Sequence, residues 1–369
     1  MSIKTSSGPG SELDRILRDV GQPDTRALFY FFSSELAGSG IVEAVNGRFP
    51  GTACVGASMI GGWSNAGAIE KGVTAMTLSS EEVEESFLSM AEGVKADPAG
   101  AARRALADMR RQLKGRKLNP AEYIGVILFD GLCLGEEIMR ELMVAEDFPI
   151  PLVGGAAADE LAFEATYVAS GARMSSDGLV LLVLRMKVPF YYDHFVHCRP
   201  AGSSMVVTKS EPSRRVVWEI DGKPAAARYA ELLGLPGPEA VGVMDFSRRP
   251  FGVTIGDTVY VRSPNAVVDG TGLQFYCYIE AGTTVSLLEP GDILENAREA
   301  LVEANRRLGE VRGALLFNCV LRYLELKASG STAAFNDIFA SAPFIGFNTF
   351  GEELFTHHNQ TLTAIFIGR

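Results

Sequence analysis

The sequence predicts a mixed α/β protein of two packed domains, built from one strand–helix–strand–turn–strand unit that occurs three times. Each copy opens with a short apolar strand, passes through a helix-like stretch, reaches a second strand that ends at glycine, and closes with a third strand. Such repetition favours one supersecondary unit reused around a shared core with mixed sheets. A length of 369 residues favours two domains. The copies lie at residues 27–76, 126–184 and 314–367.

The first elements follow in chain order from apolar spacing and helix caps. Leu13, Ile16, Leu17 and Val20 have helical spacing and predict a short helix inside a lead-in of residues 1–25. Hydroxyl and acidic residues at positions 79–82 are typical of a helix start and predict a helix to about residue 95. A proline at position 98 predicts a further helix to about residue 113.

Between the second and third copies the pattern changes to short β-like runs and turns. These runs occupy residues 188–220 and 241–288, and helices are predicted at 224–233 and 292–308. Turn residues gather near residues 220–235 without a low-complexity linker. We therefore expect two domains that pack on one another, at residues 26–220 and 221–369.

Composition and charge exclude several classes of protein. The net charge of −11 argues against nucleic-acid binding. The chain has no apolar run of about 18 residues and no apolar signal-peptide stretch, so we expect a cytoplasmic protein without membrane insertion. Its five cysteines are isolated, with no CxxC pair, which predicts buried reduced thiols. No GxGxxG, Walker loop or Ser-His-Asp signature is present.

Two places in the later copies carry residues suited to ligand binding. Gly154 and Gly155 either form a ligand-facing turn with accessible N–H groups or pack tightly under a neighbouring strand. Arg322 follows a buried strand, where its planar guanidinium suits an anionic group such as a carboxylate. The structural alternative is an ion pair between Arg322 and Glu352 that bridges two loops. Arg322 could also do both, with Glu352 orienting the guanidinium that binds the ligand.

The histidines and one cysteine leave further alternatives open. His194 and His197 are three residues apart, which places them on opposite faces of an extended strand, so a joint metal site is not expected. Either could still be an axial haem ligand. Cys319 could be a nucleophile only with a base nearby, and His358 is the obvious one. His358 otherwise suits a hydrogen-bonded structural histidine.

Six ordered segments resemble the FIST N-terminal and C-terminal domains. The first three resemble "PvvGGaagD", "crPvG…vT" and "ldGkPA…Y", and the last three resemble "fsCxxR", "GfyTyGEi" and "hNqT". Together they cover about residues 26–368 in the right order. Asn318, Asn348 and the doubled histidine at 357 and 358 depart from the family pattern. The segments lie at residues 151–159, 198–208, 220–229, 317–322, 345–352 and 358–361.

The resemblance implies a sensory protein that binds a small molecule, such as an amino acid, and is not an enzyme. It would relay its ligand state to a separate signalling partner such as a histidine kinase. Two alternatives remain: a haem-binding nitric-oxide sensor with His194, His197 or His358 as the haem ligand, and a cysteine-dependent hydrolase or transferase. We expect Arg199 to be a second anchor for an anionic group. The expected ligand-binding residues are Gly154, Gly155, Arg199, Cys319, Arg322, Thr349 and Glu352.

Overall fold

The computed structural model describes residues 3–256 and 258–369, so the first two residues of the predicted lead-in lie outside it. The part up to the second copy contains β1 (Lys4–Gly8), α1 (Leu13–Val20), β2 (Thr25–Ser33), α2 (Ile41–Arg48), β3 (Ala53–Met59), β4 (Gly62–Ser64), β5 (Val73–Ser79), β6 (Val83–Glu92) and α3 (Pro98–Gln112). The second copy contains β7 (Tyr123–Phe129), α4 (Gly135–Met143), β8 (Leu152–Ala156), β9 (Val168–Ser170), β10 (Arg173–Ser175) and β11 (Gly178–Met186).

The rest of the chain is a strand-rich block followed by the third copy. The block contains β12 (Phe190–Val196), β13 (Cys198–Glu211), β14 (Val216–Ile220), β15 (Lys223–Pro224), α5 (Ala225–Leu233), α6 (Val243–Arg248), β16 (Phe251–Ile255), β17 (Thr258–Arg262), β18 (Pro264–Val268), β19 (Gly272–Phe275) and β20 (Thr284–Pro290). The third copy contains α7 (Ile293–Leu308), β21 (Gly313–Cys319), α8 (Val320–Ala328), α9 (Thr332–Phe339), β22 (Phe344–Thr349), β23 (Glu352–Leu354), β24 (Thr356–His358) and β25 (Thr361–Ile367).

The three copies share one strand arrangement, which confirms the predicted mixed α/β fold. In each, the first strand pairs parallel with the second and antiparallel with the closing strand: β2 with β3 and β5, β7 with β8 and β11, and β21 with β22 and β25. One buried apolar cluster contains Phe31, Leu128 and Phe317, one residue from the opening strand of each copy. The repeated units are therefore built around a shared core.

The sheets exchange strands between the copies, so the two halves of the chain are intimately packed. The hairpin β23–β24 of the third copy extends the sheet of the second copy through β8, and β4 of the first copy pairs with β22. Strands β13 and β14 share a sheet with β16 to β20. The expected boundary at residues 220 and 221 falls between β14 and β15, inside that sheet. No helix of the described residues is long and apolar enough to cross a membrane.

Two local predictions are wrong. The segment expected to be a helix from residue 79 to 95 forms β6, which pairs antiparallel with β11. Its buried residues are Val83, Phe87, Ser89 and Ala91. The cap signal produces only a turn, in which Glu82 accepts hydrogen bonds from the backbone and hydroxyl of Ser79 at 2.9 Å. Long-range pairing therefore outweighs the local helix signal.

The second wrong prediction is that the second strand of each copy ends at its glycine and then turns. Gly56, Gly155 and Gly346 lie inside β3, β8 and β22 rather than at turns after them. A Cβ on any of the three would lie 2.7 Å from the side chain of another strand. These glycines therefore allow close packing of strands and do not reverse the chain.

Candidate functional site

The structure brings Gly154, Gly155, Thr349 and Glu352 together where the second and third copies meet. Strand β23 pairs with β8, which places Glu352 opposite Gly155. A Cβ on Gly155 would lie 2.7 Å from Cγ2 of Thr349, and one on Gly154 would lie 1.8 Å from the carbonyl oxygen of Ile127. Both glycines are buried. The geometry therefore matches the second alternative from the sequence, tight packing under neighbouring strands.

Glu352 is buried and is held by hydrogen bonds from its own loop. The hydroxyl of Thr349 donates to Oε1, and the backbone N–H and hydroxyl of Thr361 donate to Oε2 at 3.2 and 3.0 Å. Burial raises the pKa of Glu352 to about 7, although these hydrogen bonds lower it. The carboxyl group is thus satisfied without Arg322, and the expected ion pair between Glu352 and Arg322 does not form.

Arg322 lies in the first turn of α8 with its side chain fully buried. Its Nε donates to Oδ1 of Asn318 at 3.0 Å, and its Nη1 donates to Nδ1 of His197 at 2.8 Å and to Oδ1 of Asn296 at 3.2 Å. Because Nδ1 of His197 accepts, its proton belongs on Nε2, which lies 3.5 Å from Oε2 of Glu325. Burial lowers the pKa of Arg322 to about 10. The guanidinium therefore joins α7, α8 and the loop before β13.

Cys319 and His358 do not form a nucleophile–base pair. Cys319 is buried, and this burial raises the pKa of its thiol well above the usual range. His358 donates from Nε2 to the carbonyl oxygen of Leu354 at 2.9 Å. Burial, reinforced by the nearby His194, lowers the pKa of His358 to about 3. Because the thiolate is the reactive species, this geometry does not support thiol chemistry at Cys319. All five cysteines are free and buried.

The three histidines considered as haem ligands are engaged inside the protein. The ring of His194 packs against His358 with centroids 4.4 Å apart, and Tyr260 stacks on His358 at 5.7 Å. His197 contacts Arg322, so His194 and His197 face different partners as expected. These residues do not fit axial ligation of a haem in this conformation. The described residues also contain no group of three or more His, Cys, Asp or Glu that could hold a metal ion.

Arg199 is a predicted site residue that lies away from the junction of β8 and β23. It lies on β13 with its side chain 74% exposed, and its Nε donates to Oε1 of Glu289 on β20 at 2.8 Å. Its partner is thus a surface carboxylate in the strand-rich block. It does not join the residues at the junction of β8 and β23.

A pocket that sequence reasoning missed opens beside this junction. The cavity, of about 300 Å³, lies between α4, the end of β17, the segment after β19 and the hairpin β23–β24. We call it the ionic pocket, and its main lining residues are Glu136, Arg140, Arg262, Tyr278, Phe355 and His357. The doubled histidine was the one visible signal, because His357 faces this pocket while His358 faces His194. The other residues are far apart in sequence, so spacing alone could not have grouped them.

Charged groups pack against His357 and Glu136, two of the residues that line the ionic pocket. His357 contacts Oε1 of Glu353 through Nδ1 at 2.6 Å. Burial raises the pKa of Glu353 to about 7 despite this partner. Burial alone would lower the pKa of His357, but the Glu353 carboxylate outweighs it and the pKa is raised. Glu136 pairs with Arg215 and accepts the N–H of Tyr278 at 2.9 Å.

Three polar groups of the residues that line the pocket keep hydrogen-bonding or charge capacity that the described residues do not use. Nε2 of His357 is buried and has no hydrogen-bond partner in the described residues. Arg140 is exposed and forms no ion pair within the described ranges, and Nη1 of Arg262 donates to the carbonyl oxygen of its neighbour Val261 at 3.1 Å. Phe355, at the hairpin tip, has a positive φ of 58° and is 51% exposed. The pocket is therefore lined by two arginines without an ion pair among the described residues, by a buried imidazole nitrogen without a hydrogen-bond partner there, and by the ring of Phe355.

Comparison with known proteins gives the family. The FIST N domain model matches residues 26–223, and the FIST C domain model matches residues 225–354. An uncharacterized protein of Methanocaldococcus jannaschii is 27% identical over 188 residues, which is 50% of this chain and 35% of that relative's length. The solved structure titled "T. maritima PurL complexed with AMPPCP" aligns over all of this chain and 72% of its own, at 12% identity and a TM-score of 0.22. A likeness at that level carries no argument about fold or function. The two domain models cover most of the chain, which therefore belongs to the FIST family, whose domains are generally sensory domains of signal transduction.

Proposed function

We propose that this protein senses a small anionic molecule, such as an amino acid, in the ionic pocket and relays the bound state to a separate signalling partner such as a histidine kinase. The observation that carries the proposal is that Arg140 and Arg262, which form no ion pair among the described residues, line the same pocket as His357, whose Nε2 has no hydrogen-bond partner there. Guanidinium groups bind carboxylates with two parallel hydrogen bonds, which gives both affinity and orientation.

The charge of the surroundings supports an anion as the ligand. The chain carries a net charge of −11, so a cavity lined by two arginines without an ion pair among the described residues contrasts with the rest of the molecule. Glu136 lines the same pocket, but its carboxylate is balanced by Arg215 and accepts the backbone N–H of Tyr278. The two arginines therefore determine the charge of the ligand, and the carboxylate of a free amino acid meets that requirement.

The size of the pocket supports a small ligand. A cavity of about 300 Å³ lies at the lower end of the range of about 300 to 1,000 Å³ that is usual for small-molecule sites. In this proposal the buried residues Gly154, Gly155, Thr349 and Glu352 lie behind the pocket and hold the hairpin that carries Glu353 and His357. Cys319 and Arg322 hold the start of α8.

The position of the pocket supports a relay. Its walls come from α4 in the residues that match the FIST N domain, and from β17, Tyr278 and the hairpin in the later part of the chain. A ligand that touches both walls favours the arrangement in which they are close. A shift between two such populations is a signal that a partner protein can read.

Thermal stability measured with and without ligand tests the proposal. We expect one or more of the twenty amino acids, or succinate as a simple dicarboxylate, to raise the midpoint of unfolding, because a ligand at 100 times its Kd stabilises by about 2.7 kcal/mol. Arg262→Gln and Arg140→Gln should each weaken binding at least about tenfold, since a charge-assisted hydrogen bond contributes about 1.5 to 3 kcal/mol.

Two control variants make this test specific. Arg173→Gln removes an exposed arginine that pairs with Glu92 outside the pocket, and it should leave binding unchanged. Arg199→Gln tests the anion anchor expected from the sequence. If Arg199→Gln abolishes binding while Arg262→Gln does not, the ligand site lies elsewhere and the proposal fails. It also fails if no member of the panel shifts the midpoint.

A further inference from the structure

A second, larger cavity lies against α8 and has a different chemical character. Its volume is about 560 Å³, and its walls come from the loop after β8, from α6, from the start of β18, from the segment at β19 and from α8. Phe246, Tyr276, Leu321 and Leu324 line it. Among the described residues that line it, none is Asp, Glu, Lys, Arg or His. The cavity therefore suits a neutral molecule, in contrast to the ionic pocket.

The loop after β8 is built to hold two apolar side chains at the mouth of this cavity. Leu161 and Phe163 have positive φ angles of 67° and 54°, a conformation that bulky residues rarely adopt. The buried carboxylate of Asp159 fixes the loop, since it accepts the N–H groups of Phe163 at 3.1 Å and Glu164 at 2.8 Å. The ring of Phe163 also stacks on Phe350 with centroids 4.9 Å apart.

This arrangement leaves apolar surface at the mouth of the cavity in contact with water. Leu161 and Phe163 remain 36% and 48% exposed despite the unusual backbone. Strained backbone that is fixed by buried hydrogen bonds is characteristic of sites that clamp a ligand. Covering both side chains with an apolar molecule would remove their remaining exposed surface from water.

Asn265, one of the residues that line the cavity, carries a polar atom that defines the ligand further. Oδ1 of Asn265 is buried and has no hydrogen-bond partner in the described residues. A buried acceptor of this kind is satisfied by a ligand that donates one N–H or O–H group. We propose that this cavity is a second ligand site, specific for a neutral aromatic molecule that carries one hydrogen-bond donor.

Fluorescence titration with N-phenyl-1-naphthylamine tests the proposal directly. This probe is neutral and aromatic, and it carries one N–H group. We expect saturable binding with one probe per chain. Phe163→Ser and Leu161→Ser should each weaken binding at least about tenfold, because each removes apolar surface from the mouth. Both residues are partly exposed, so neither change threatens the core. Val302→Ser, an equally apolar exposed position on α7, should leave the affinity unchanged.

The N-methylated probe tests the role of Asn265. It lacks the donor, so it should bind the wild-type protein about five- to tenfold more weakly than the parent probe. The two probes should bind Asn265→Ala with equal affinity. Arg262→Gln should bind both probes as the wild type does, which separates this site from the ionic pocket. The absence of saturable binding, or equal affinity in Phe163→Ser, would overturn the proposal. A change in the sedimentation coefficient of Phe163→Ser, with no probe uptake by the wild type, would assign the face to a protein interface and also overturn it.

Discussion

The buried carboxyl group of Glu352 gives the sharpest test of the structure through the change Glu352→Gln. The side chain is fully buried, with Thr349 at one oxygen and Thr361 at the other. A glutamine reproduces the protonated carboxyl group, because its amide oxygen can accept from Thr361 and its NH₂ can donate to the hydroxyl of Thr349. The substitution therefore removes the titration while the packing is kept.

The magnitude follows from the pKa of Glu352. In the folded protein it is about 7, raised by burial from its ordinary value of 4.5. Because the folded pKa lies above the unfolded one, the contribution to stability is complete below about pH 4.5 and is lost as the pH rises to about 7. At about 1.4 kcal/mol per pH unit, the loss amounts to about 3 kcal/mol.

Urea denaturation followed by circular dichroism at pH 5, 6, 7 and 8 measures this loss. We expect wild type and Glu352→Gln to have similar free energies of unfolding at pH 5. They should separate by up to about 3 kcal/mol at pH 8, with the variant more stable. Glu43→Gln changes the same charge on an exposed position of α2 and should follow the wild type. If wild type and Glu352→Gln show the same dependence on pH, the carboxyl group is ionised in the fold and our description of this core is wrong.

Three further predictions concern packing, reactivity and capping. Gly154→Ala should lower the free energy of unfolding by about 3 kcal/mol or more, because its Cβ would lie 1.8 Å from a carbonyl oxygen of β7. Gly47→Ala meets no atom within 4 Å and should raise the free energy of unfolding by up to about 1 kcal/mol through α2. Urea denaturation measures both values. Cys319 should resist a thiol reagent such as DTNB in the native protein and react after unfolding, and rapid native labelling mapped to it by mass spectrometry would contradict the high pKa. Asp97→Ala should lower the free energy of unfolding by about 1 kcal/mol, because the carboxylate of Asp97 caps the first turn of α3. An unchanged free energy of unfolding would show that the cap contributes nothing.

The repeated fold could be predicted from the sequence because its information is local. Apolar runs and their order identify β2, β7 and β21 as equivalent strands, and Leu13–Val20 and Pro98–Gln112 follow from spacing and proline position. The same kind of argument failed at residues 79–95. There the cap residues are real, but pairing of β6 with β11 decides the conformation, and no local pattern reports a partner about a hundred residues away.

The candidate site could be predicted only in part, for a related reason. Motifs near Gly154 and Glu352 pointed to segments that the fold does bring together. The pocket beside them depends on Arg140 and Arg262, which no motif singled out as site residues, although Arg262 ends a strand that the sequence predicts. Arg199 is the opposite case, since it is a motif residue that the fold places on the surface with a carboxylate partner. Motifs locate segments, whereas the side chains that meet in a cavity depend on how the sheets are joined.

In the function we propose, a ligand in the ionic pocket acts on the rest of the molecule through the pairing of β23 with β8. Glu352 and Glu353 are neighbours on a strand, so their side chains point to opposite faces. Glu352 is fixed to Thr349 and Thr361, while Glu353 contacts His357 at the pocket. On β8, Gly154 lies opposite Glu353 with no room for even one added carbon. A packed core of this kind transmits displacement instead of absorbing it. Movement of the hairpin on binding would therefore have to move β8 as well, which carries the change from the later part of the chain into the FIST N domain.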